Sequence, residues 1–243
     1  MLFQSAVFWL GFLLIIPQAL YVRRVAHRAD PAPGPRTGTV GSAEATLHLY
    51  GIGDSIIDGV GTSGLKNAML GQTARALSVQ LGANIAWQGA GRSGHRTAQV
   101  LELLSGEPPR GTIEFVIVSV GVNDVTGLRS LNQWRRDLRN LMLALREQCP
   151  AANVLMIGLP PMGEFPLLPQ PLKALFGLRS RQFEAVALKA LQQLDFVSYA
   201  RIDLPTDTDS FAVDGYHPSE EACRELGGRL AHCLLADKVP INA

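Results

Sequence analysis

From Leu47 onward, short apolar runs alternate with longer segments of helical periodicity. The run Ile113 to Val120 is almost continuous in valine and isoleucine, as strands covered on both faces are. This alternation predicts an α/β fold with a central five-stranded parallel sheet and helices on both faces. The predicted strands are 47–53, 84–88, 113–120, 154–159 and 196–199, and the predicted helices are 67–81, 97–104, 134–146, 175–194 and 220–235.

The first 22 residues have a different pattern, because they carry no charge and their centre, Ala6 to Ile16, is apolar throughout. A segment of this length is enough to cross the ~30 Å hydrocarbon layer of a membrane as a helix. Basic residues follow it, which under the positive-inside rule places the rest of the chain in the cytoplasm. We therefore expect residues 1–22 to be an uncleaved transmembrane anchor, with a cleaved signal for export to the periplasm or secretion as the alternative. The basic residues are Arg23, Arg24, His27 and Arg28.

The composition of residues 23–45, which is basic and rich in proline and glycine, predicts a linker. Pro31, Pro33 and Pro35 exclude a helix or a central strand, so an extended tether is expected here. The remaining residues, 46–243, are expected to form one folded domain, since their length suits a single core.

Charge and cysteine content exclude several classes of protein. The chain has 22 basic and 21 acidic residues, which argues against a nucleic-acid partner, since that would require a basic surplus. The three cysteines are too few for a disulfide framework and have no second ligand at metal-binding spacing. No metal site is therefore predicted.

Candidate chemistry lies where the predicted strands end. In a parallel sheet, ligands bind beyond the carboxyl ends of the strands, so polar residues at these ends converge on one edge. Three strands are followed by glycine-rich polar fragments, and a fourth such fragment precedes the last helix. The fragments are Gly53-Asp54-Ser55, Gly89 to Gly94, Gly121 to Asp124 and Asp214 to Pro218.

These fragments contain the residue types needed for acyl transfer. A serine hydroxyl requires a base within hydrogen-bond reach, and the base requires a third group that fixes its tautomer. Ser55, His217 and Asp214 can supply these three groups, and the i, i+3 spacing of the last two would place them together on one helical turn. Candidate donors to the oxyanion are the backbone N–H groups of Ser55 and Gly94 and the side-chain amide of Asn123.

Taken together, Ser55 in GDS, the glycine block, Asn123 in GxND and His217 in DxxHP resemble the SGNH hydrolases, also called the GDSL esterases and lipases. The resemblance implies a three-layer α/β/α sandwich of the flavodoxin-like kind. It also implies a serine esterase that acts through an acyl-enzyme, with no metal or organic cofactor. By the same resemblance Ser55, Asp214 and His217 form a catalytic triad, and Ser55, Gly94 and Asn123 form the oxyanion hole.

Several alternatives stay open at this stage. Gly91 competes with Gly94 as the oxyanion donor. The apolar stretch from Pro160 to Arg181 either lines an acyl pocket or only packs over the sheet edge. Expected substrates are small-molecule or lipid esters, thioesters included, with a short-chain carbohydrate acetyl ester or an inactive membrane-tethered binding protein as alternatives. The sequence makes no prediction of the oligomeric state.

Overall fold

The computed structural model describes residues 2–25, 29–165, 167–201 and 208–236. His27 and Arg28, two of the basic residues expected to follow a membrane segment, lie outside these ranges. The strands are β1 (Thr37–Val40), β2 (Thr46–Gly53), β3 (Asn84–Gly91), β4 (Phe115–Ser119), β5 (Asn153–Ile157) and β6 (Val197–Ala200). The helices are α1 (Leu2–Val25), α2 (Ser55–Asp58), α3 (Met69–Leu81), α4 (Thr97–Gly106), α5 (Val122–Thr126), α6 (Leu131–Gln148), α7 (Leu172–Leu191) and α8 (Glu220–Leu235).

The central sheet has the strand order β1-β3-β2-β4-β5-β6. The five strands from β2 to β6 are parallel, as the sequence predicts. The sequence does not predict β1, which adds a sixth, antiparallel strand beside β3. The molecule is thus an α/β protein with a mostly parallel six-stranded sheet.

Strand β1 lies within the segment for which the sequence predicts an extended tether. Its residues pair with β3 in the register Thr37 opposite Gln88. The prolines that indicate a tether all precede the strand, and an edge strand needs hydrogen bonds on one side only. Before the strand, the backbone N–H of Ala32 donates to the Asp58 carbonyl, so this part of the segment also contacts the domain. The boundary at residue 45 remains a prediction.

The sheet separates two hydrophobic cores. Alternate residues of a strand point to opposite faces, so Val116 and Val118 of β4 join one core and Ile117 joins the other. The first core contains residues of α4, α6 and α7, and the second contains residues of α3 and α8. With both faces covered, the carboxyl ends of the strands are left as the open edge, where the polar fragments lie.

Helix α1 packs along α7 in the structure. Phe8 and Ile15 are buried, and the ring of Phe12 lies 6.4 Å from that of Phe176 in α7. Within the described residues, no helix is long and apolar enough to cross a membrane. The expectation of a transmembrane anchor at residues 1–22 therefore stays a prediction. In the structure, one side of this apolar helix packs against protein.

Candidate active site

Ser55 is the first residue of α2, directly after the carboxyl end of β2. The side chain of Asp54 caps this helix by accepting a hydrogen bond from the backbone N–H of Ile56 at 3.2 Å. Such caps satisfy backbone donors that have no partner within the helix. The sharp turn from strand to capped helix therefore positions Ser55 at the sheet edge, and its side chain lines the cavity found there.

His217 lies between Ser55 and Asp214, 162 residues along the chain from the serine. Its Nε2 is 2.8 Å from the Ser55 Oγ, and its Nδ1 is 2.6 Å from the Asp214 Oδ2. An ionised carboxylate only accepts hydrogen bonds, so Nδ1 carries the proton and Nε2 is left to accept from the serine hydroxyl. The structure thus brings together the three residues that the sequence selects as a triad.

The turn that carries Asp214 and His217 is not helical. The Asp214 Oδ1 accepts hydrogen bonds from the backbone N–H groups of Tyr216 and His217, both at 3.0 Å. A carboxylate that binds the backbone two and three residues ahead forms its own turn, which brings the imidazole back to the other carboxylate oxygen. The i, i+3 spacing correctly predicts that Asp214 and His217 lie close together. The helical turn assumed for these residues is wrong, because a carboxylate-capped turn is present instead.

The electrostatics of this turn keep Asp214 ionised. Its burial alone would raise the pKa of the carboxyl, but hydrogen bonds from the His217 ring and from the backbone of Tyr216 and His217 lower that pKa to about 2. A carboxylate that remains charged can hold the imidazole in one tautomer and stabilise its protonated form.

Gly94 and Asn123 line the same cavity as Ser55, whereas Gly91 does not. Gly94 has φ of +81° and open space around the position of a Cβ atom, so glycine is favoured there by its backbone and leaves room for a ligand. At Gly91 a Cβ would lie 2.2 Å from the backbone nitrogen of Asp58, so this glycine allows β3 to pack closely against α2. The Nδ2 of Asn123 donates one hydrogen bond to the His95 carbonyl at 3.0 Å, which joins the two fragments.

The loop before Gly94 is held by a buried carboxylate on α2. The Asp58 Oδ2 accepts from the backbone N–H of Ser93 at 2.8 Å, and its Oδ1 forms an ion pair with the Arg36 Nη2 at 2.5 Å. Asp58 is only 2% exposed. Because α2 begins with Ser55, this carboxylate fixes the loop of one candidate oxyanion donor relative to the helix of the candidate nucleophile.

A second buried carboxylate, Asp54, lies at the other end of α2, directly before Ser55. Its Oδ1 accepts from the Ser119 hydroxyl at 2.9 Å, and its backbone N–H donates to the Ser119 carbonyl at 3.0 Å. Burial raises the pKa of Asp54 to about 6, against the opposing effect of its hydrogen bonds from Ile56 and Ser119. Asp54 therefore connects the ends of β2 and β4 and has no bond to the imidazole among the described contacts.

Asp124 is a third buried carboxylate, and it connects α5 to the start of α4. Its Oδ2 accepts from both the backbone N–H and the hydroxyl of Thr97, at 3.0 and 2.8 Å. Burial raises the pKa of this carboxyl as well. The contact fixes the fragment that contains Asn123 relative to the helix that follows Gly94.

The cavity beside Ser55 has a volume of about 510 Å³ and a mainly apolar wall. Its apolar residues include Met162, Phe165, Leu168 and Phe176, all from the 160–181 stretch that the sequence left as either a pocket wall or simple packing. Phe165 also packs edge to face against Tyr216, next to His217, with ring centres 6.3 Å apart. The apolar wall and the polar triad are thus two sides of one cavity.

Sequence reasoning missed several residues that support the site. Ser119 ends β4 and could have been found by the same strand-end argument that found Ser55. The sequence does not indicate a role for Arg36, because this residue lies in a segment interpreted as a tether. The pairing of β1 with β3 brings Arg36 close to Asp58. Among the described residues, no cluster of three or more histidine, cysteine, aspartate or glutamate side chains could hold a metal ion.

Comparisons with known proteins agree with this architecture. The model of the GDSL-like lipase/acylhydrolase family matches residues 52–224. No curated protein matches the chain. Among solved structures, the lipase/acylhydrolase from Enterococcus faecalis is 20% identical with a TM-score of 0.60, covering 81% of this chain and 100% of that one.

Two further structures are of esterases named for carbohydrate substrates. A carbohydrate acetylesterase from Sinorhizobium meliloti is 17% identical with a TM-score of 0.57, covering 78% of this chain and 99% of that one. A carbohydrate esterase family 2 enzyme with a carbohydrate-binding domain, from Corynascus thermopiles (Myceliophthora fergusii), is 17% identical with a TM-score of 0.61, covering 81% and 68%. At these identities the likeness is one of fold, and the family match covers most of the chain. The chain therefore belongs to the GDSL-like lipase/acylhydrolase family of ester-hydrolysing enzymes.

Proposed function

We propose that the protein is a serine esterase that cleaves a carboxylic ester through an acyl-enzyme intermediate formed on Ser55. The observation that carries this proposal is the unbroken pair of hydrogen bonds from Ser55 through His217 to Asp214. Neither bond exceeds 2.8 Å, which is the reach required for proton transfer between a nucleophile and its base.

In the first step, the Ser55 Oγ attacks the carbonyl carbon of the ester while its proton passes to the His217 Nε2. Asp214 stays ionised and stabilises the imidazolium through Nδ1–H. When the tetrahedral intermediate collapses, the bond to the alcohol oxygen breaks and His217 gives its proton to that leaving group. A water molecule then attacks the acyl-enzyme with His217 as base again, which releases the acid and restores Ser55.

Negative charge on the substrate oxygen requires fixed donors. We assign this role to the backbone N–H groups of Ser55 and Gly94 and to the Nδ2 of Asn123. The amide nitrogen of Asn123 has two hydrogens, so one can hold the His95 carbonyl while the other faces the oxyanion. Gly94 is preferred over Gly91 because it lines the cavity, whereas Gly91 is packed against α2.

The apolar wall favours an ester with an extended aliphatic or lipid-like acyl group. A volume of about 510 Å³ lies within the range of small-molecule sites, roughly 300–1,000 Å³. Met162, Leu168 and Phe176 offer an alkyl chain dispersion contacts and burial from water. A short acetyl ester on a carbohydrate is the second candidate, supported by the fold shared with two esterases named for carbohydrate substrates.

A series of p-nitrophenyl esters of increasing acyl length separates these substrates. We expect kcat/KM to rise from the acetyl ester to longer chains, because each buried methylene contributes about 0.8 kcal/mol. Ser55→Ala should lower kcat by ~10⁶-fold, as in other serine hydrolases. The matched control is Ser105→Ala, at an exposed position of α4, which should keep full activity.

The two parts of the proposal fail separately. Activity confined to the acetyl ester would reject the lipid-like acyl group and leave the serine mechanism standing. Hydrolysis that is equal in the wild type and in Ser55→Ala would reject the mechanism itself. A wild-type protein inactive on every ester would instead support a binding protein on the same fold.

A further inference from the structure

A strongly basic groove lies between α6 and α7 and shares no lining residue with the cavity at Ser55. Its volume is about 800 Å³. Five of its lining side chains are cationic and none is acidic, although the whole chain has a net charge of only +1. The cations are Arg135, Arg136 and Arg139 from α6 and Arg179 and Lys189 from α7.

Little of this charge is neutralised within the protein. Arg136 contacts the Asp137 carboxylate at 3.3 Å, but that carboxylate is shared with a second arginine. In the part of the chain that the structure describes, no carboxylate lies within ion-pair distance of Arg135, Arg139 or Lys189. These three side chains are exposed and therefore available to an anion from solution.

Arg179 is the unusual member of the set, because it is only 2% exposed and still has no carboxylate partner among the described residues. Its Nη1 donates to the Gln182 Oε1 and its Nη2 donates to the Arg129 carbonyl, both at 2.9 Å. Its Nε has no partner. Burying a charge without a counter-charge is costly, and stacking on aromatic rings offsets only part of that cost. The rings are those of Phe8, Trp9 and Phe183.

The chemistry of these groups indicates the ligand. Guanidinium groups match phosphate oxygens in pairs, and they form charge-assisted bonds that are stronger than those of neutral donors. The amino-terminal end of α6 also lines the groove through Ser130, Leu131 and Asn132, and a helix of 18 residues presents a partial positive charge there. We infer that the groove binds a phosphate-bearing anion, either a free phosphate compound or the headgroup of a phospholipid.

Binding measurements on the full chain test this inference with two probes. Inorganic pyrophosphate in a calorimetric titration represents the free anion. Co-sedimentation with phosphatidylcholine vesicles that contain phosphatidylglycerol, against vesicles of phosphatidylcholine alone, represents the lipid. The groove variant Arg135→Gln/Arg139→Gln/Lys189→Gln should weaken binding by about tenfold or more. The control variant Lys66→Gln/Arg75→Gln/Arg110→Gln removes the same charge from exposed positions outside the groove and should bind as the wild type does.

Binding of pyrophosphate that the groove variant loses would support a free phosphate ligand, and binding confined to anionic vesicles would support a headgroup. Absence of binding to both probes, or equal binding by the groove variant and the wild type, would overturn the inference. Glutamine retains helix propensity close to that of arginine and lysine, so the variants are expected to fold. Both should hydrolyse p-nitrophenyl esters at the wild-type rate, which keeps this test independent of the proposed esterase mechanism.

Discussion

The segments 54–58 and 214–217 each place a buried carboxylate, Asp54 or Asp214, beside Ser55, yet the pKa values of these two groups are shifted in opposite directions. Asp214 bonds to an imidazole and two backbone N–H groups, and its pKa is lowered to about 2. Asp54 bonds to a hydroxyl and one backbone N–H, and burial raises its pKa to about 6. Both carboxylates are therefore buried near Ser55. Only Asp214 is hydrogen-bonded to the imidazole of His217 among the described contacts, so it is the carboxylate that can assist proton transfer.

This difference also sets what each carboxylate does to stability. The lowered pKa means that Asp214 stabilises the folded state above about pH 4, and this contribution is lost as the pH falls toward 2. The raised pKa of Asp54 has the opposite sign, because its ionisation costs stability as the pH rises from about 4 to 6. The charged form of Asp214 thus stabilises the folded state, whereas the charged form of Asp54 lowers its stability.

Among variants of these carboxylates, the largest expected effect is that of Asp214→Asn. The asparagine amide keeps the shape of the carboxylate but does not hold the neutral imidazole of His217 in the required tautomer. It also does not stabilise the positive charge of the imidazolium that forms in the reaction, so kcat should fall by ~10⁴-fold. Steady-state kinetics on a p-nitrophenyl ester measure this loss, with the far-ultraviolet circular dichroism spectrum as the check on folding. A loss of less than about tenfold in a folded variant would show that Asp214 does not orient His217 during catalysis.

A smaller effect is expected for Asp58→Asn, which removes a negative charge from the end of α2 and changes no residue of the triad. The variant weakens the ion pair with Arg36 and the bond to the Ser93 N–H, so the Gly94 donor should shift relative to Ser55. Misplacement of a catalytic group by about 1 Å can cost as much as 10²-fold, and we expect a loss of about tenfold in kcat. KM should change little, since the apolar wall is unaffected.

The control for that variant is Glu184→Gln, which also replaces the carboxylate of an ion pair by an amide, in this case the pair with Arg201, and which lies outside the cavity lining. A general loss of stability would lower the melting temperature of both variants and leave kcat intact in the active fraction. If the two variants have the same kcat, Asp58 has only a structural role.

The smallest effect on activity is expected for Asp54→Asn, which should keep kcat within about threefold because the bonds of Asp54 are structural. The stability of the variant should depend less on pH than that of the wild type, because the variant lacks the ionisable carboxyl at position 54. Relative to the variant, the wild type should lose roughly 2 kcal/mol of unfolding free energy between about pH 4 and pH 7. Urea denaturation at the two pH values measures this, and parallel behaviour of the two proteins would contradict a raised pKa at Asp54.

Much of this site can be predicted from the sequence, because its polar residues lie at defined positions relative to the predicted strands. Ser55 and Asn123 lie in short helices that directly follow strands, and His217 lies shortly before the last helix. A parallel sheet brings the positions that follow its strands to one edge. The turn geometry at Asp214 is not readable in this way, since it depends on backbone hydrogen bonds to the carboxylate.

The remaining differences arise from contacts between segments that are distant in sequence. Strand β1 and Arg36 lie after three prolines, and local composition cannot show that this segment pairs with β3. The apolar run at the amino end has the composition of a membrane segment, whereas the structure packs Phe8 and Ile15 against protein. Burial of this kind is a property of the tertiary structure, which hydrophobicity alone does not determine.

Mapping of a covalent adduct tests whether Ser55 is the activated nucleophile. The purified protein is treated with a fluorophosphonate, which phosphonylates an activated serine hydroxyl, and the modified peptide is identified by mass spectrometry. The proposed mechanism predicts a single adduct on Ser55 in the wild type, its loss in Ser55→Ala, and labelling slowed by several orders of magnitude in His217→Ala. An adduct on another serine, or labelling of Ser55 that is as fast in His217→Ala as in the wild type, would contradict it.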